Sequence, residues 1–247
     1  MRIAGLIYLA TNVTIVVYCY LISGGFGMLR KLVAEAFGTA CLVFAGTGAV
    51  VANEVSGGAI THVGIALTFG LIVMVMIFAT GHISGAHINP AVTLAFALTK
   101  HIPWATVPKY WLAQLVGAAL GSLLVCVVIG DGASLGATMP LNGDVTSSLV
   151  LEVILTMILM FVIISVATDE RAQGSLAALA IGSTVALEAM FAGPISGASM
   201  NPARSLGPAL VGGHWADHWI YWIGPIVGAA VGALLYTYIR GKSPATD

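Results

Sequence analysis

Apolar residues along this chain fall into long runs separated by short polar breaks. The runs cover residues 3–22, 32–52, 60–80, 106–129, 147–168, 176–192 and 218–239. Each has the roughly 17–25 residues that a helix needs to cross a hydrocarbon core. The breaks carry Gly, Pro, Asp and Asn, the residues of turns. Two shorter apolar stretches, from Asn89 to about Thr99 and from Asn201 to about Leu210, stand apart from the long runs. A helix of about ten residues is roughly 15 Å long, half of a core roughly 30 Å thick.

These short stretches are copies of one pattern. The first reads SGAHINPAVTLAF from Ser84, the second SGASMNPARSLGPAL from Ser196. In both, an asparagine after a Ser-Gly-Ala turn precedes a proline, which is well placed at a first helical position. The long runs fall into register around them. Each copy lies between the second and third runs of a set of three, and each set has a glutamate early in its first run, Glu35 and Glu152. Three is odd, so the second set is upside down relative to the first and the two short helices enter from opposite faces. The predicted fold is an all-α membrane protein, with six transmembrane helices plus two re-entrant half-helices in an inverted repeat. It forms a single domain over residues 29–240, with repeats at 29–130 and 147–240 and a short tail at 241–247. Residues 1–28 form a hydrophobic extension. Only Arg2 precedes its apolar run and no Ala-x-Ala-like site follows, so it reads poorly as a signal peptide. It is either an extra N-terminal helix or sequence upstream of a start at Met28.

Composition strengthens the membrane reading. Of 247 residues, 59% are hydrophobic and 8% charged, where a soluble domain carries about a quarter charged. Mean hydropathy is +1.01. Thirty glycines suit helices that approach closely in lipid. A net charge of -1 offers no basic surface, so no nucleic-acid partner is expected. Cys19, Cys41 and Cys126 lie in apolar runs without metal-ligand spacing and read as small buried hydrophobes. Lys and Arg set the orientation. Arg30, Lys31, Lys100, Lys109, Arg171, Arg240 and Lys242 all fall on one side of six spans, while Glu54, Asp131, Asp144 and Asp217 fall on the other. Both ends of the core, including the C-terminus, are therefore expected to be cytoplasmic in a multi-pass protein of the cell membrane. If residues 3–22 also span, residue 1 lies outside.

Irregular backbone at membrane depth is tolerated only where it is buried or lines a water-filled cavity. Inverted repeats with broken helices place polar sites at the midplane. Two helix N-termini facing each other there bring two positive dipole ends together. Asn89 and Asn201 would cap them and still offer an amide N–H to the lumen. The carbonyls of Gly85, Ala86, His87 and Ile88, and of Gly197, Ala198, Ser199 and Met200, are expected to lie in extended segments and form a polar track. That track suits a neutral hydrogen-bonding solute and disfavours a bare cation. The bland alternative is that these residues are merely caps in a transporter core. Arg204 is the one strong base within the apolar core, in the first turn of the second half-helix, where the dipole disfavours it. It would hold a solute oxygen and reinforce the barrier to protons; its bland alternative is a structural arginine tied to loop carbonyls.

Glu35 and Glu152 are expected to accept N–H bonds from the re-entrant loops. Glu188 lies mid-span without a repeat counterpart; snorkelling, a protonated state and a loop donor all remain open for it. His82 and His87 lack carboxylate or thiol company and read as pore-mouth and loop-packing groups, so no metal site and no cofactor are expected. His214 and His218 flank Trp215 and Trp219, which suit an aromatic belt at the outer interface.

The paired Asn-Pro-Ala motifs, half-helices and glutamates resemble the aquaporin (major intrinsic protein) family over about residues 29–240. The segments GHISGAHINPAVTLAFA (81–97), FAGPISGASMNPARSLGPAL (191–210) and ATDERA (167–172) look most like the nodulin-26-like branch and its prokaryotic relatives. The resemblance implies a homotetramer with one pore per subunit, passing water and small uncharged solutes while excluding protons. It also implies a narrower filter outside the asparagines. Carried over by distance from the motifs, that filter falls on Phe69, Ala189, Ala198 and Arg204. Water-selective members usually pair a phenylalanine with a histidine, which here is Ala189. Nodulin-26-like members usually carry Trp, Ala or Gly where this chain has Phe69. The missing imidazole removes a hydrogen-bond partner and opens room for a few waters. Water plus glycerol-sized polyols are therefore expected, with boric or arsenous acid as further candidates; a water-selective pore is the alternative. A coupled transporter would need a midplane ion site, for which Glu188 is the one candidate. No nucleophile–base pair marks an enzyme, and a purely structural junction would leave Arg204 without a task.

Overall fold

The computed structural model describes residues 26–169, 171–172 and 176–241. The run at residues 3–22, with Cys19, and the tail from residue 242 lie outside the described residues. Eight α-helices follow in order among the described residues: α1 Phe26–Val55, α2 Thr61–Ser84, α3 Pro90–Leu98, α4 Val107–Val128, α5 Val145–Thr168, α6 Ala177–Ser196, α7 Pro202–Gly212 and α8 Ile220–Arg240. Among the described residues, six helices are long and apolar enough to cross a membrane, and α3 and α7 are the short ones.

The packing follows a two-fold plan. In each repeat the first span packs on the third, α1 on α4 and α5 on α8. The second spans, α2 and α6, pack on each other across the centre, while each short helix lies against the other repeat's last span, α3 on α8 and α7 on α4. Glycine makes the closest crossings possible. A Cβ on Gly117 or Gly121 of α4 would overlap carbonyl oxygens of Ala36 or Ala40 on α1. Gly228 and Gly232 of α8 stand in the same relation to Val153 and Met157 on α5.

Polarity is inverted relative to a soluble bundle. Leu67, Leu71, Val75, Leu120, Leu124, Ile154, Leu187 and Val231 face outward, while Glu35, Gln114, Glu152, Glu188 and Arg204 are buried. Trp215 and Trp219, before α8, are about half exposed, as an interfacial belt requires.

Two expectations about the backbone need correction, and Cys41 and Cys126, expected to be buried, are partly exposed. The run ending at Ala192 continues as helix through Gly193 and Pro194 to Ser196. The segments before the asparagines are also not extended: Gly85, Ala86 and Ile88, and Gly197, Ala198 and Met200, all have positive φ between 40° and 91°. Gly85 and Gly197 are left-handed C-caps of α2 and α6, which turn the chain back toward the centre. Ala86, Ile88, Ala198 and Met200 hold a conformation unusual for residues with a Cβ, so the surrounding bonds must impose it.

Candidate functional site

Each re-entrant loop is fixed by a buried glutamate. The Glu35 carboxylate accepts from Ser84 Oγ (2.6 Å), His87 N (2.9 Å), Ile88 N (2.7 Å) and Gln114 Nε2 (2.8 Å). Glu152 accepts from Ser196 Oγ, Ser199 N and Met200 N, each at 2.8 Å. Peptide planarity then decides where the carbonyls go. An N–H aimed at Glu35 points the preceding C=O the opposite way, so the carbonyls of Ala86 and His87 face away from the glutamate. Those of Ala198 and Ser199 face away from Glu152 for the same reason.

They face a cavity that collects residues from both repeats. Its lining includes Gly85, Ala86, His87, Ile88 and Asn89 from the first loop and Ala198, Ser199, Met200, Asn201 and Arg204 from the second, with Phe69 and Ala189. The remaining wall is apolar, with Val73, Ile77, Val92, Phe96, Leu159, Ile163, Ile181 and Val185. About 130 Å³ is open to the centres of water-sized molecules, room for more than one water. Of the residues expected to line a pore, Gly197 alone falls outside this lining.

The asparagines meet crosswise. Asn89 Oδ1 accepts from Ala91 N, and Asn201 Oδ1 from Ala203 N and Arg204 N, so each caps its own helix. Asn89 Nδ2 donates to Met200 O and Asn201 Nδ2 to Ile88 O, both at 2.8 Å. One amide hydrogen of each asparagine is thus committed to the opposite loop, and the other remains. The Ile88 and Met200 carbonyls, expected to be free for a solute, each already hold one amide hydrogen.

Arg204 is 5% exposed. Its Nη1 donates to Gly136 O at 2.8 Å, and its Cζ lies 4.7 Å from the centre of the Phe69 ring. The carbonyl tie of the bland reading is therefore present, yet it takes one of five N–H donors on a side chain that also lines the cavity. Gly136 ends a short turn, Ala133–Gly136, between the repeats. Its φ is 69°, and a Cβ there would stand 2.9 Å from Thr47 Cβ.

His87 is buried, stacks on Phe96 (centroids 4.6 Å apart) and bonds Thr93 through Nδ1 at 3.1 Å. His82 is exposed in the last turn of α2 and is not part of the cavity lining. Glu188 neither snorkels nor meets a loop donor. It is 1% exposed and, among the described residues, neither carboxyl oxygen has a hydrogen-bond partner. Sequence reasoning missed several supporting residues. Tyr110 and Tyr221 hydroxyls donate to the carbonyls of Ser84 and Ser196 at 2.8 and 2.7 Å, and Gln114 joins Glu35 to Thr93. Their distance along the chain hid them; only the matched register of Tyr110 and Tyr221 in the two repeats was available as a signal.

Comparison with known proteins decides the family. The family described as "Major intrinsic protein" matches residues 22–236. The chain belongs to the major intrinsic protein family. Among relatives, Aquaporin NIP1-1 of Oryza sativa subsp. japonica is 54% identical over 213 residues, 86% of this chain and 75% of that one. Probable aquaporin NIP4-2 of Arabidopsis thaliana is 51% identical over 215 residues, again 86% and 75%. Aquaporin NIP2-1 of Zea mays is 50% identical over 213 residues, 86% and 72%. The resemblance to nodulin-26-like aquaporins therefore stands. Among solved structures, the aquaglyceroporin from Plasmodium falciparum matches with a TM-score of 0.72 at 27% identity, over 87% of this chain and 96% of that one.

Proposed function

We propose that this major intrinsic protein is a passive channel for water and small neutral solutes, glycerol-sized polyols included, with boric and arsenous acids as further candidates. One observation carries the reading: two asparagine-capped helix starts meet at a cavity whose wall is otherwise apolar. Such a site offers donors and carbonyls in file, while two positive dipole ends and Arg204 oppose a proton or cation. Phe69, Ala189, Ala198 and Arg204 form the filter, and Ala189 sets its width because a methyl group stands where water-selective relatives carry an imidazole. The channel works without a metal or cofactor as a homotetramer with one pore per subunit, in the cell membrane with its C-terminus cytoplasmic. Relatives named as aquaporins and a structural neighbour named as an aquaglyceroporin support both water and polyol as cargo.

Stopped-flow light scattering on proteoliposomes tests the reading. Fast water exit under an impermeant osmolyte, with glycerol re-entry suppressed by Ala189→His, is the expected result. Fast water exit without glycerol re-entry in either form identifies a water-selective pore and overturns the wide filter.

A further inference from the structure

Pro194 lies within α6, two residues before the helix ends at Ser196, and it leaves a backbone gap. A proline has no N–H to give to the carbonyl four residues earlier, which here is Met190. A backbone carbonyl that loses its helical donor is costly wherever water does not replace it. The missing donor comes from another helix. His62 Nε2, at the start of α2, lies 2.8 Å from Met190 O. A carbonyl only accepts, so Nε2 carries the proton, and neutral and charged imidazole both donate from it.

The surroundings fit this bond. A Cβ on Gly193 would stand 2.8 Å from His62 Cε1, so glycine there leaves room for the ring. His62 itself is held in place, because the preceding Thr61 has a φ of 64° and donates its N–H to Asn53 Oδ1 of α1 at 2.7 Å. Met190 follows Ala189, which lines the cavity. The first repeat has no such device: Phe78 and His82 stand where Met190 and Pro194 stand in the second.

We infer that His62 is a positioning residue for the solute filter, supplying from α2 the hydrogen bond that Pro194 withholds from Met190 and so fixing the α6 wall at Ala189. This rests on the proposed filter role of Ala189. Without the bond the proline-weakened turn is free to shift, and the ratio of glycerol to water permeability changes.

Proteoliposome permeabilities of His62→Phe, Pro194→Ala and the double variant test this. Phenylalanine keeps the ring and its packing but removes the donor, whereas alanine at 194 restores the helix's own N–H. The expected result is a permeability ratio about threefold or more from wild type for H62F, a wild-type ratio for P194A, and a wild-type ratio for the double variant. An unchanged ratio in H62F, or a double variant that stays as altered as H62F, overturns the inference. Should H62F fail to fold, folding of the double variant with a wild-type ratio supports the bond, and its failure refutes it. Wild type that passes neither water nor glycerol would instead refute the channel reading itself.

Discussion

The two re-entrant loops are built alike up to their asparagines and differently around the residue four positions beyond. Glu35 and Glu152, Ser84 and Ser196, and Tyr110 and Tyr221 make corresponding bonds. In the first repeat Thr93 then meets His87 and Gln114, all from the same half. In the second, Ser205 meets Ser199 and also Thr138, which comes from the connection between the halves. That connection supplies Gly136 to Arg204 as well. Around Thr93 the first loop is held by its own repeat, and around Ser205 the second is completed from the connection. The shared bonds hold each re-entrant helix start; the unshared ones place a charge beside the cavity.

The comparison breaks most severely at the glutamates. Glu35→Ala strands four donors and Glu152→Ala three. Each is expected to cost about 3–5 kcal/mol, with Glu35→Ala at least as severe. Yield of monodisperse protein and the unfolding midpoint measure this; tolerance of either variant would remove the carboxylates from their scaffold role.

Arg204→Val gives the second repeat the residue that the first carries at Val92. Water flux is expected to persist while proton leak rises roughly tenfold or more, a barrier loss of about 1.4 kcal/mol. A pH-sensitive dye inside the liposomes reads it, and an unchanged leak would confine the barrier to the helix dipoles.

Gly136→Ala tests the outside contribution directly. Positive φ and the approach to Thr47 make a cost of about 1–3 kcal/mol the expectation, together with altered glycerol flux as the Arg204 tie is displaced. A stability loss with unaltered flux would show that the tie does not set the filter.

Tyr110→Phe and Tyr221→Phe sharpen the likeness. Each removes one bond to a loop carbonyl, so losses of about 1 kcal/mol, equal within roughly 0.5, are expected. Unequal losses would mean that the loops differ even where their bonds match.

The smallest effect lies in the connections after each first span. Asn53 ties the turn before α2. After α5, Asp169 holds Arg171 and the Tyr236 hydroxyl. Arg171, then Tyr236, hold the Asp169 carboxyl well below the usual carboxylate range. A depressed carboxyl stabilises above its unfolded pKa of about 3.9 and loses that contribution as pH falls below it. The difference in unfolding midpoint between wild type and Asp169→Asn should hold from pH 8 to about 4 and shrink below.

The sequence made the repeat, the spans and both glutamates legible because repetition and hydropathy are local patterns. It made Arg204 legible because a charge in an apolar run stands out. Gly136, Gln114 and His62 were not legible, since each acts on a partner far along the chain and looks locally like an ordinary loop, helix or turn residue. Gly193-Pro194 misled in a definite way: read locally it ends a helix, yet α6 continues through it, with a donor from α2 on the Met190 carbonyl. The loops were read as extended because positive φ at Ala86, Ile88, Ala198 and Met200 leaves no mark in residue type.

The crossed asparagine bonds also bear on how the protein is made. Asn89 finds its acceptor 111 residues further on, and Asn201 finds its own 113 residues back. As the chain leaves the ribosome, Asn89 is finished long before Met200 exists. The first loop's attachments to Glu35, Ser84 and Gln114 lie nearer in sequence and form first, since closing a longer loop carries the greater entropy cost. The midplane therefore closes after the first loop is fixed, and a newborn half-chain, however well inserted, holds an open seam until its inverted twin arrives.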